Sequence, residues 1–275
     1  MSKNSLNLTK DPISVLFVKI AIPSSVGTVF MTLYNLVDTY FAGKISAEAL
    51  AALAQTFPVY FIIIAIGVGL SIGTTSLIAN ALGEKNQKKS SYYLAQSIGL
   101  SIITSILVSL VGIYFGPSII LLMNDSEVTM KLSMEYLNII FLGSIFILVQ
   151  MTMNSSLSAI GDTKSNRNVL IVSFFLNILL NPLFIFGYGI IPAMGIKGIA
   201  VSTITSQALG TFYIIFKVYK TEFKEYLYLQ CFKPKFKILL DLLSQGIPAA
   251  LGMMMISVGV FIILFFISQY GDLAL

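Results

Sequence analysis

Asp38 is the residue whose chemistry most needs a reason. It stands in a largely apolar stretch spanning 13–42, where an acid costs roughly 2.5 to 3.5 kcal/mol at the centre of a spanning helix. Glu135 and Asp241 sit near the ends of their apolar runs, and the remaining acids fall in polar connections. An ionisable group at membrane depth is a functional residue by default, because lipid offers it no partner. Such a carboxylate could trade its charge for a proton or hold a hard cation such as sodium, which prefers oxygen ligands.

The elements that must position it are long and apolar. Hydrophobic residues make up 56% of the chain and charged ones 11%, against about a quarter charged in soluble domains. Seven apolar runs reach the roughly 20 residues needed to cross a bilayer as helix: 13–42, 51–79, 92–116, 133–160, 168–188, 196–217 and 242–270. A transmembrane barrel would show short alternating segments instead. The expected fold is therefore all-α, a polytopic transmembrane bundle with six helices in a first lobe and a seventh beginning a second, similar lobe.

Counting along these helices places more oxygen atoms beside Asp38. From the end of the first helix near Gly43, Asp38 lies roughly 7 to 8 Å deep at 1.5 Å per residue. The fifth helix runs the same way, putting Asn181 about 9 to 12 Å down and Asn177 one turn deeper on the same face. The sixth runs back, so Thr203 reaches about 10 Å. Asp38, Asn177, Asn181 and Thr203 thus form a candidate cation-coupling layer, although Asn and Thr also hydrogen-bond between helices in many bundles. Three further stripes at helical spacing suggest walls of a mixed cavity: Met31, Tyr34 and Asn35 beside Asp38; Gln150, Met151, Asn154 and Ser158; and Thr203, Ser206, Gln207 and Gly210. Met there would suit varied apolar shapes.

Several chemistries are excluded. Gly69-Leu-Ser71-Ile-Gly73 matches a nucleophile-elbow pattern, but the chain has no His, and Gly at this spacing in an apolar helix reads better as close helix packing. No enzyme is expected. Absence of His and a single Cys, Cys231, remove the usual transition-metal sets and any internal disulfide, and no nucleotide-binding Gly-rich loop occurs. No cofactor is expected beyond a proton or sodium ion, and no metal beyond sodium at Asp38.

The 17 basic residues divide fourteen to three between alternate ends of the helices, with only Lys44, Lys131 and Lys197 on the minority side. By the positive-inside rule the N-terminus is cytoplasmic. The +5 charge then reflects topology and anionic headgroups rather than nucleic acid. Tyr92, Tyr93, Tyr114, Tyr136, Tyr188 and Tyr219 lie where an interfacial belt is needed. The segments expected are a cytoplasmic 1–12, a six-helix lobe 13–217, a basic linker 218–241 read as an amphipathic surface helix, and 242–275 opening a second lobe. Lys19-Ile-Ala-Ile-Pro23 is echoed by Ser244-Gln-Gly-Ile-Pro248, and Glu48-Ala-Leu-Ala51 by Asp272-Leu-Ala-Leu275, as internal repeats of secondary transporters would be. On this reading the chain is truncated just as the second lobe begins, so a missing lobe or a homodimer would complete the path.

Together these residues resemble the multidrug and toxic compound extrusion (MATE) family. Leu36-Val-Asp-Thr-Tyr-Phe-Ala-Gly43 resembles its first-helix signature, and Ile78-Ala-Asn-Ala-Leu-Gly83 the end of its second helix. Ala159-Ile-Gly-Asp-Thr-Lys164 is similar to the loop after its fourth. Asn177-Ile-Leu-Leu-Asn181-Pro-Leu-Phe-Ile-Phe-Gly187 resembles its fifth helix and Gly195-Ile-Lys-Gly-Ile-Ala-Val-Ser-Thr203 the start of its sixth. The resemblance implies a two-lobed, twelve-helix antiporter in a bacterial inner membrane, exporting small amphipathic compounds, often cationic, against protons or sodium. It assigns the coupling acid to Asp38 and cation-site roles to Asn177 and Thr203. Two positions depart: Asn181 stands where many members carry Asp, leaving one formal charge in the layer, and Ser158 where many carry Arg. The rivals are a flippase for lipid-linked sugars, which would want cavity cations to meet phosphate, and a nontransporting membrane protein.

Overall fold

A computed structural model describes residues 11–123 and 126–268. The seven expected spans are all present as helices: α1 Ile13–Ile45, α2 Ala47–Gly83, α3 Gln87–Leu121, α4 Glu127–Ala159, α5 Lys164–Phe186, α6 Ile196–Tyr219 and α7 Phe236–Ser268. Most of the 1–12 segment and the Asp272–Leu275 half of the echo lie outside the described residues.

Helix starts are set by side chains that accept the orphan first-turn N–H groups. Ser46 is extended and accepts from Ala49 N at 3.1 Å, separating α1 from α2. Asn86 accepts from Lys89 N at 3.0 Å and Ser126 from Thr129 N at 3.4 Å. Between α4 and α5, Gly161 takes φ +81°, a left-handed turn that glycine makes without a Cβ penalty. Asp162 then accepts from both the backbone N (3.0 Å) and the hydroxyl (2.6 Å) of Ser165, which gives the Gly-Asp-Thr loop a mechanical reason. In α1 a π-helical turn spans Phe17–Ala21 just before Pro23. The Ile20 carbonyl there accepts from the hydroxyls of Ser24 (2.9 Å) and Thr163 (3.3 Å).

α4 is the central post, packed against α2, α3 and α6, while α1 pairs with α5 and α5 with α6. Lipid supplies no hydrophobic drive between helices, so close packing and interhelical hydrogen bonds hold such bundles. Both are visible. Leu137, Ile140, Phe141, Leu148 and Ile199 fill one core. Hydroxyls reach neighbouring helices at Ser109 to Phe141 O (2.5 Å), Ser133 to Ala52 O (3.3 Å) and Thr211 to Phe146 O (3.0 Å). α7 lies along α2. A Cβ added at Gly69 or Gly246 would stand 2.7 Å from the other residue's carbonyl oxygen, and one at Gly73 2.5 Å from Leu242 O. The Gly-x-Ser-x-Gly pattern is therefore the surface on which α7 rests, and Ser71 donates to Met151 O at 3.1 Å.

The linker differs from the surface helix expected over 218–241. It forms two short 3-10 turns, Glu222–Tyr226 and Leu229–Phe232, and α7 already begins at Phe236. The cause is long-range. Gln96 of α3, 2% exposed, donates to Cys231 O (2.5 Å) and Lys233 O (2.8 Å) and accepts from Lys235 N (2.8 Å). Pro234 has no N–H with which to continue a helix. Phe223 is inserted among Ile214, Val218 and Leu94, and Gln87 donates to Glu222.

Candidate functional site

The four residues expected to form a cation-coupling layer converge. Asn177 Nδ2 and Asn181 Nδ2 each donate to Asp38 Oδ1 at 2.8 Å, and Thr203 Oγ1 donates to Oδ2 at 3.2 Å. Asn181 Nδ2 also reaches Asn177 Oδ1 at 3.1 Å. Asp38 is 6% exposed and the other three at most 1%. Among the described residues, Asp38 takes part in no ion pair. Its charge is thus met by three neutral donors and by no basic side chain.

Local sequence explains how each arrives. On α5 the buried positions Ser165, Val169, Ser173, Asn177, Asn181 and Ile185 recur at one-turn spacing, so both amides share the face that meets α1. Pro182 follows Asn181 and removes one N–H from the helix ladder there. α6 is drawn onto α5 at Gly198, where a Cβ would lie 2.6 Å from the Phe184 carbonyl carbon. That contact brings Thr203, more than a turn further on, within reach of the acid.

Beside the acid opens a cavity of about 120 Å3, lined by Asn35, Asp38, Thr56, Tyr60, Tyr136 and Thr203 among others. Tyr34 is buried next to it, and its hydroxyl has no hydrogen-bond partner among the described residues. The Asn181 Oδ1 atom is also buried without one. Tyr60, Thr56 and Tyr136 were not legible as site residues. Tyr136 in particular belongs to this wall, 5% exposed, and not to the interfacial belt assigned to it, whereas Tyr114, Tyr188 and Tyr219 are exposed as a belt requires.

The eight residues read as cavity walls do not line one space. Tyr34 and Asn35 flank Asp38. Met31 is exposed on α1, and Gln207 is half-buried on α6. Gln150 faces α6 and accepts from Thr211 at 3.4 Å. Met151 packs its sulfur against Gly67 of α2, and Asn154 is half-buried on the same helix with an unpartnered Oδ1. Ser206 lines a separate groove between α5 and α6. Period-3.6 stripes identify faces, but on a central helix such as α4 three different neighbours take those faces.

Membrane-length helices packed around one enclosed carboxylate define a multi-pass membrane protein of the transporter type. The chain belongs to the MATE family: the MatE family profile matches residues 23–183, more than half of it. It is 28% identical over 204 residues to the FAD transporter of Shewanella oneidensis, covering 74% of this chain and 45% of that protein. It is 28% identical over 260 residues to the probable multidrug resistance protein YoeA of Bacillus subtilis, covering 91% and 55%. Solved structures of a multidrug resistance MATE family transporter of the MOP superfamily superpose in the outward-facing form with TM-score 0.81, at 27% identity over 94% of this chain and 56% of that one. The inward-facing form gives 0.80, at 26% over 91% and 58%. The chain spans about half the length of the curated relatives it matches.

Proposed function

We propose that this chain forms the ion-coupling lobe of a secondary antiporter that exports amphipathic organic cations by alternating access. The observation that carries the reading is the Asp38 carboxylate, buried, met by three neutral donors and open on one side to a tyrosine-lined cavity. A carboxylate in that setting has lost its water and gained no counter-charge, so it favours whichever cation arrives. Tyr60 and Tyr136 line it, and aromatic rings attract an organic ammonium. Proton and cargo then compete for one charge. Because equilibrium coupling is reciprocal, the ion weakens cargo binding by the factor by which cargo weakens the ion.

We take the proton as the coupling ion, because protonation asks only that Asp38 give up one of its three donors. Anionic cargo, such as the flavin nucleotide in the Shewanella relative's name or a lipid-linked sugar phosphate, would want cationic side chains in the cavity. Among the described residues, no Lys or Arg lines it.

Vesicles containing Asp38→Asn should lose gradient-driven efflux of a cationic dye altogether, with loss of the pH-gradient response decisive for the proton. Efflux that keeps its gradient dependence in this variant overturns the assignment. A wild-type response to a sodium gradient alone, at constant pH, would replace the proton with sodium and leave Asp38 in place.

A further inference from the structure

We propose that the groove between α5 and α6, at the Lys-rich end of the bundle, binds one anionic phospholipid. The groove holds a cavity of about 100 Å3, bordered by Asn168, Val172 and Leu176 of α5 and by Ser206, Leu209 and Tyr213 of α6. It lies on a flank that α7 does not cover, since α7 packs on α2 and α3. No acid lines it.

Polarity changes along its length. Asn168 lies about 6 Å in from Lys164 and Tyr213 about 9 Å in from Tyr219, whereas Leu176 and Ser206 lie about 18 to 20 Å deep. At the shallow end, Arg167 donates from Nε (3.2 Å) and Nη2 (2.8 Å) to Asn168 Oδ1. Lys217 holds its Nζ 5.6 Å from the centroid of the Tyr213 ring. Among the described residues neither cation belongs to an ion pair. Arg still has donors to spare, and its fork matches a phosphate. Deeper in, Val172 and Leu209 are exposed and give the groove an apolar wall. A cationic collar over an apolar slot fits an anionic headgroup with one acyl chain laid between the helices, and it repels the organic cations proposed for the Asp38 cavity. The site is independent of what the protein exports.

Native mass spectrometry of the full chain, released from nanodiscs of equal parts phosphatidylglycerol and phosphatidylcholine, tests this. The wild type should retain one phosphatidylglycerol in preference. Arg167→Gln with Lys217→Gln should reduce that preference about thirtyfold, the worth of two cations near an anionic headgroup. Leu209→Trp, which fills the mouth, should lower retention of both lipids. An unchanged lipid ratio in the double variant, no lipid retained by the wild type, or displacement of the lipid by ethidium would each overturn the proposal. Should the double variant fail to fold, a photoactivatable phosphatidylglycerol on the wild type decides: adducts on α5 and α6 peptides are expected, and adducts confined to other helices refute the site.

Discussion

At the scale of the residue, the Asp38 cluster is a balance between one charge and three dipoles. Hydrogen bonds to a charged group are worth about 1.5 to 3 kcal/mol each, so removing one donor should change ion affinity without dismantling the bundle. Thr203→Val keeps the shape and deletes the hydroxyl that donates to Oδ2. The ion concentration giving half-maximal dye efflux should shift by about tenfold or more, since about 1.4 kcal/mol is a factor of ten. A shift under twofold would mean that the 3.2 Å contact does not steady the coupling state. This cluster was legible in the sequence because rise per residue converts position into depth, and an acid with two amides at one depth leaves few arrangements. Tyr60 and Tyr136 were not, because which way a tyrosine faces depends on the rotation of α2 and α4 about their own axes. That rotation is fixed by neighbours such as Ile63 and Leu137, which no single helix encodes.

At the scale of the element, the same division recurs. Spans, caps and the α4–α5 turn follow from local rules, and the helices extend the apolar runs by a turn or so at most ends because capping residues, not hydropathy, set where they stop. The linker followed no local rule. Its basic and aromatic residues suit a surface helix, yet the amide of Gln96, over a hundred residues earlier, holds its backbone in another shape. Gln96→Ala leaves two carbonyls and one N–H of the linker without this partner, at about 1 to 3 kcal/mol for each group that stays buried. Amide exchange over residues 231–235 should quicken by at least about tenfold while exchange in α4 stays slow. Equal exchange in both proteins would show that Phe223 and the Gln87–Glu222 contact suffice to dock the linker.

At the scale of the whole molecule, the distribution of charge predicts the orientation. Lys85, Lys88, Lys89, Lys164, Arg167 and the linker lysines crowd one end, and Lys44, Lys131 and Lys197 the other, where Lys197 meets Glu135 at 3.5 Å. In a Cys231→Ser background, a thiol introduced by Lys44→Cys should react with a membrane-impermeant maleimide added to intact cells, and one introduced by Lys85→Cys only after lysis. Reversed labelling would invert the topology.

The seam between α2 and α7 is fastened unequally. Toward the Lys-rich end the two backbones touch through Gly69, Gly73 and Gly246, with the Ala250 side chain of α7 seated against Gly69. Toward the other end Ser257 donates to Pro58 O at 2.7 Å. Phe261 and Leu264 of α7 pack against the core at that same end, so backbone contact seats one end of the seam, and apolar packing with one directional tie seats the other. Bulk added at Gly69, Gly73 or Gly246 would therefore push the two backbones apart, because each glycine faces a carbonyl oxygen of the other helix, which cannot swing aside as a flexible side chain would.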